Sequence, residues 1–161
     1  MQRQTSNGVK KKKNKKIGDV IGKNKGKSWL YTGIVKDHFF HPRNVLLDET
    51  NYQYDGKGIA GNPLCGDIMA LWIKVDPKTQ KIKDCKWRTY GCASAISATS
   101  MLSVMVTEKG GIAVKKALNL KPQQIIERLG GLPELKFHCS VLGLDALKEA
   151  INDYLKNKET K

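Results

Sequence analysis

No stretch of the sequence approaches the ~18 consecutive apolar residues of a membrane-spanning helix, and residues 1–28 lack the apolar core of a secretory signal. These absences predict a soluble chain that is not exported, placed in the cytoplasm or, alternatively, in the matrix of a mitochondrion or related organelle. Cysteine is sparse, with four residues, and no two of them are spaced as C-x-x-C. The sequence therefore offers no ready zinc knuckle, and in a reducing compartment its thiols read as metal or sulfur chemistry before any disulfide framework. Acidic residues are scarce too, 15 against 29 Lys and Arg, leaving a formal charge of +14.

That excess resembles a nucleic-acid signal until it is located along the chain. Residues 1–28 hold ten Lys or Arg and the single Asp19, net +9, whereas residues 29–161 carry net +5. The first segment has a lysine run at 10–13, then Lys15 and Lys16, with four glycines and little to bury. It reads as a disordered extension. A solvated tail, an electrostatic contact with RNA or an acidic partner, and an organelle address all fit that composition. No aromatic side chain interleaves the lysines, which weakens the nucleic-acid reading. Residues 29–161 have the size of one ordinary domain.

Hydrophobic spacing within that domain predicts an α+β fold, a small antiparallel sheet with helices packed against it. Ile34, Val35, Phe39 and Phe40 suggest a short helix over 31–41 that Pro42 ends. The Gly-rich stretch 56–66 reads as a short strand running into a mobile loop. Met69, Leu71, Ile73 and Val75 alternate along a strand, residues 76–80 form a loop, and 82–90 return as the second arm of a hairpin. Cys85, Trp87 and Thr89 share one face of that arm, so Cys85 reads as a small buried hydrophobe outside any site. Helical spacing follows over 92–108, ended by Gly110-Gly111, and then over 112–118. Another helix runs from Pro122 to the glycines at 130 and 131. A last one follows Cys139, with Ser140 available as a cap and Leu147, Ala150, Ile151 and Tyr154 on one stripe.

The other three cysteines fall at element boundaries. Cys65 lies in the Gly-rich loop before a strand, and Cys92 and Cys139 each sit where a helix begins. Helix N-termini stabilise thiolate over thiol, so both are expected to be nucleophilic and competent to bind metal. Asp67 and His138 stand beside them as further donors, giving three thiolates plus a carboxylate or imidazole for zinc or a cluster. On spacing alone, a metal site and three unrelated buried cysteines are both open readings.

At these residues the chain resembles a known family. The segments are Tyr31-Thr32-Gly33, Asp37-His38-Phe39-Phe40-His41-Pro42-Arg43-Asn44, Cys65-Gly66-Asp67, Thr89-Tyr90-Gly91-Cys92-Ala93-Ser94-Ala95-Ile96 and Lys136-Phe137-His138-Cys139-Ser140. Together, in this order, they are similar to the IscU iron-sulfur assembly scaffolds and the N-terminal domain of NifU, over about residues 29–154. Ala93 stands where the family usually has glycine. The stretch Leu132-Pro133-Glu134-Leu135-Lys136 only partly matches the Leu-Pro-Pro-Val-Lys segment that a dedicated Hsp70 chaperone grips. With no further cysteine-rich segment after residue 154, the sequence is expected to resemble the stand-alone scaffold more than the long NifU proteins.

The resemblance implies three strands with a cluster site at one end, and a scaffold and sulfur acceptor in place of an enzyme. A cysteine desulfurase would deliver persulfide sulfur, ferrous iron would enter, and a ferredoxin-type donor would supply electrons. A labile 2Fe-2S cluster would then pass to carriers or recipient apo-proteins. Cys65, Cys92 and Cys139 would be cluster ligands, Asp67 and His138 auxiliary ligands, Cys139 the persulfide acceptor and Lys136 an electrostatic aid. The residues agree with transit: a permanent cluster wants four thiolates in a closed cage, whereas a harder oxygen or imidazole donor eases release. The same donor set also suits zinc, which leaves a zinc-binding persulfide acceptor in a sulfur relay as an alternative function.

Overall fold

The two-residue alternation over 67–90 becomes a hairpin in the computed structural model, which describes residues 31–62, 64 and 66–159. The backbone of a short antiparallel pair, Lys23–Asn24 with Lys27–Ser28, is also described. Apart from that pair, the lysine-rich extension read over 1–28 lies outside the described residues. Strands β1 (Gly56–Asn62), β2 (Asp67–Val75) and β3 (Ile82–Tyr90) form one antiparallel sheet in the order β1-β2-β3. Met69, Leu71, Ile73 and Val75 all face the core, as their spacing predicted, and Cys85 is fully enclosed among them. Burial pushes the Cys85 thiol pKa up, as expected of a structural thiol. Asp76 closes the hairpin loop, its Oδ1 accepting the N–H groups of Lys78 and Thr79. The outer edge of β3 is covered: Leu46 donates its N–H to Trp87 O, and Trp87 donates its own to Asn44 O.

Among the described residues the α-helices are α1 (Gly33–Phe40), α2 (Ala93–Thr107), α3 (Val114–Ala117), α4 (Pro122–Arg128) and α5 (Phe137–Glu159). Thr32 caps α1, its Oγ1 accepting the Val35 N–H at 3.1 Å. Helix α2 is rich in Ser and Thr yet buried. Ser97, Thr99 and Thr107 return their hydroxyls to carbonyls of their own helix, at Ala93, Ala95 and Ser103, which leaves no polar group to hydrate. Ser100 joins α2 to α1, lying 2.8 Å from Nδ1 of the buried His38 while its Oγ accepts the Arg43 N–H. Among the described residues no helix is long and apolar enough to cross a membrane.

Helix α5 starts at Phe137, ahead of Cys139 and not after it as its spacing suggested, so Cys139 falls inside its first turn. Ser140 is therefore not a cap: its Oγ donates to the Phe137 carbonyl at 2.7 Å. The predicted stripe of Leu147, Ala150, Ile151 and Tyr154 is buried against the sheet. Contact with β1 is backbone to backbone. A Cβ at Gly58 would stand 2.0 Å from Ala146 O, and one at Gly56 would stand 2.1 Å from Ala150 O. These glycines, which open the stretch read from sequence as a short strand running into a loop, are what lets α5 lie down on the strand.

Gly58→Ala should therefore lower the denaturant midpoint by an overpacking cost of at least ~1–3 kcal/mol. Gly61→Ala, whose Cβ would have its nearest neighbour at 3.8 Å, should be tolerated. Equal midpoints for the two variants would contradict the close approach of α5.

Candidate metal centre

Three chain segments meet at one end of the sheet. Strand β3 stops at Tyr90, Gly91 turns the chain, and Cys92 occupies the N-cap position of α2 in an extended conformation. There its sulfur sits at the start of the first helical turn, where the backbone N–H groups of Ala95 and Ser94 favour the thiolate. Asp67 opens β2 and is buried, 5% exposed. The first turn of α5 brings His138 and Cys139 to the same place, with Cys139 fully enclosed.

The sulfurs of Cys92 and Cys139 lie 3.5 Å apart. Ligand atoms of Asp67, His138 and Cys139 all lie within 4.8 Å of one another, and Cys92 joins this trio through Cys139. Two atoms in the cluster, Asp67 Oδ2 and His138 Nε2, are buried without a hydrogen-bond partner. Each such orphan costs ~1–3 kcal/mol unless something satisfies it. A cation would satisfy both. Sulfur, imidazole and carboxylate are the donors that zinc and ferrous iron accept, so the residues present fit a metal.

The two thiols do not ionise alike, contrary to the expectation that both would be reactive thiolates. Hydrogen bonding from Cys139, aided by the Ala95 and Ser94 N–H groups and the charge of Lys136, lowers the Cys92 pKa to about 5 against an opposing burial effect. The same contact pushes the Cys139 pKa up, and burial together with the charges of Cys92 and Asp67 adds to the rise. Two touching sulfurs in a half-dry site share one proton, because a second negative charge beside the first is costly. Cys92, which is partly exposed, carries the charge. Cys139 is fully enclosed against it, so Cys139 is not the solvent-facing sulfur of the pair.

Of the residues singled out from sequence, Asp67, Cys92, His138 and Cys139 come together, and Lys136 stands in the turn just ahead of α5. Cys65 lies outside the described residues. Two supporting residues were missed. A Cβ at Gly91 would meet the Asp67 Cγ at 3.2 Å, so the missing side chain leaves room for that carboxylate against the turn. Its signal was a glycine directly before a cysteine at a strand-to-helix turn. Ser94 donates to the Tyr31 hydroxyl at 3.0 Å and holds the first turn of α2, a long-range pairing that sequence spacing does not carry.

Residues 30–161 match the family model described as the NifU-like N terminal domain. The iron-sulfur cluster assembly scaffold protein IscU of Aquifex aeolicus is 48% identical over 129 residues, covering 80% of this chain and 78% of that protein. IscU 1 of Archaeoglobus fulgidus, also named an iron-sulfur cluster assembly scaffold protein, is 45% identical over 127 residues, 79% of this chain and 78% of its own length. The crystal structure of the N-terminal part of a nitrogen-fixing NifU-like protein from Brucella abortus shares the fold, with a TM-score of 0.57 at 14% identity over 78% of this chain and 94% of that one.

In metal-free protein, alkylation of Cys92 should follow a thiolate titration with a midpoint at about 5, well below the ordinary 9.0. Cys139→Ala removes the largest cause of that shift and should move the midpoint upward. Peptide mapping of iodoacetamide adducts across pH reads both, and a midpoint at 9.0 in the unmodified chain would contradict the shared proton.

Proposed function

The chain belongs to the family of NifU-like N-terminal domains, and we propose that it is a scaffold on which a labile 2Fe-2S cluster is assembled and then passed to apo-proteins. The observation that carries the reading is the pairing of two sulfurs at 3.5 Å with two unpartnered buried donors, Asp67 Oδ2 and His138 Nε2, beside them. Iron and the cluster are cargo here. Cys65, Cys92 and Cys139 serve as sulfur ligands, with Asp67 and His138 as harder, exchangeable donors that hold incoming metal and ease departure of the finished cluster.

Sulfur arrives as a persulfide on a cysteine desulfurase, and Cys139 takes the outer sulfur by thiolate attack, the desulfurase cysteine leaving as thiolate. Two electrons from a ferredoxin-type donor reduce that sulfur to sulfide. Because Cys139 is enclosed, the first turn of α5 has to swing outward for the attack. Leu135 and Phe137, 58% and 40% exposed, precede Cys139 and have little packing of their own to lose in that movement. Lys136 favours the thiolate form of both sulfurs and steadies negative charge as sulfur arrives. Recipient proteins, and the Hsp70-type chaperone for which residues 132–136 are only a partial match, act after assembly.

Zinc supports a second reading, since the mixed donor set suits it equally: a zinc-binding persulfide acceptor that relays sulfur elsewhere. Anaerobic incubation with ferrous iron, cysteine and a desulfurase separates the two. A scaffold gives a brown species with visible absorbance that transfers to apo-ferredoxin, whereas a relay protein stays colourless and retains persulfide. Asp67→Ala should assemble a cluster that persists longer and transfers more slowly, and Cys85→Ser should behave as the unmodified chain. A colourless product, or assembly lost in a folded Cys85→Ser variant, would overturn the assignment.

A further inference from the structure

Cys92 and Cys139 are as well placed to bond to each other as to share a metal. We propose that they form a reversible disulfide, and that this modification switches metal loading off when the metal-free chain meets a peroxide. The inference rests on the geometry of the pair and is independent of the scaffold reading.

The sulfurs stand 3.5 Å apart, against ~2.04 Å in a disulfide. Cys92 belongs to the turn between β3 and α2 and Cys139 to the first turn of α5, so the bond would tie two helix starts together. Exposure fixes the order of events. Cys92 is partly exposed and Cys139 fully enclosed, so an oxidant from solvent reaches Cys92 first. Cys85 is enclosed in β3 and stays out of the chemistry.

In the first step the Cys92 sulfur attacks one peroxide oxygen. The O–O bond breaks, hydroxide leaves, and Cys92 becomes a sulfenic acid. In the second, the Cys139 sulfur attacks the Cys92 sulfur, the S–S bond forms, and the sulfenic oxygen departs as water with the proton that Cys139 gives up. Each sulfur is oxidised by one electron and the peroxide is reduced by two. A dithiol reductant reverses the bond by thiol-disulfide exchange. Because the resolving thiol already touches Cys92, the sulfenic acid is captured before it climbs to the irreversible sulfinic acid. The disulfide removes two of the three proposed sulfur donors and weakens the metal's hold on what remains. Bound metal, conversely, occupies both sulfurs and shields them.

The test treats the full metal-free chain with a small excess of hydrogen peroxide, quenches with an alkylating reagent, and maps peptides without reduction. Expected are a mass loss of two hydrogens, a Cys92–Cys139 cross-linked peptide, a loss of zinc affinity of at least ~10-fold, and recovery of both on adding dithiothreitol. Zinc-preloaded protein should oxidise at least ~10-fold more slowly. Cys65→Ser should still form the cross-link, and Cys139→Ala should accumulate sulfinic acid at Cys92. A cross-link that runs instead to Cys65, sulfinic acid at Cys92 in the unmodified chain, or unchanged zinc affinity after cross-linking would overturn the proposal.

Discussion

Helix α5 can carry Cys139 to Cys92 only because it rests directly on strand β1. At Gly56 and Gly58 the carbonyls of Ala150 and Ala146 take the space that side chains would fill. That contact sets the height of the helix over the sheet, and with it where the first turn of α5 comes to lie. Asp67 opens the adjacent strand, and Cys92 leaves the next one across a turn with room for the Asp67 carboxylate. Three segments distant in sequence thus meet at one end of a small sheet. Their donors are set by backbone packing before any metal is considered.

Much of this was legible in the residues. Period-two alternation located the hairpin and put Cys85 inside it, and Pro122, Gly110-Gly111 and the Leu147–Tyr154 stripe bounded or oriented helices for stated local reasons. Contacts between distant segments were not legible. The touching of Cys92 and Cys139 reversed the expected chemistry of one of them, because a thiol beside a thiolate is held protonated where a solitary helix-start thiol would ionise. The start of α5 was misjudged for a related reason. Ser140 has the chemistry of a cap, but in the fold its hydroxyl turns back to the Phe137 carbonyl. Glycine was the least readable residue: at positions 56 and 58 it meant close packing, which composition alone does not distinguish from flexibility.

The site combines features that a permanent cofactor site would avoid. It has a partly exposed sulfur whose pKa is lowered, a buried sulfur in contact with it, and an oxygen and a nitrogen left without partners. The two unpartnered atoms raise the energy of the empty state, and the ready thiolate makes it receptive. The harder donors bind metal readily and hold a sulfide-bridged cluster less firmly than a thiolate would, which matches a role in passing cargo on.

The central claim is that thiolates and harder donors act on one metal together, and X-ray absorption at the zinc edge of the full chain loaded with one equivalent tests it most directly. The expected first shell is mixed, with sulfur at ~2.3 Å and nitrogen or oxygen at ~2.0–2.2 Å. A shell of sulfur alone would place Asp67 and His138 outside the metal's reach and contradict the assignment.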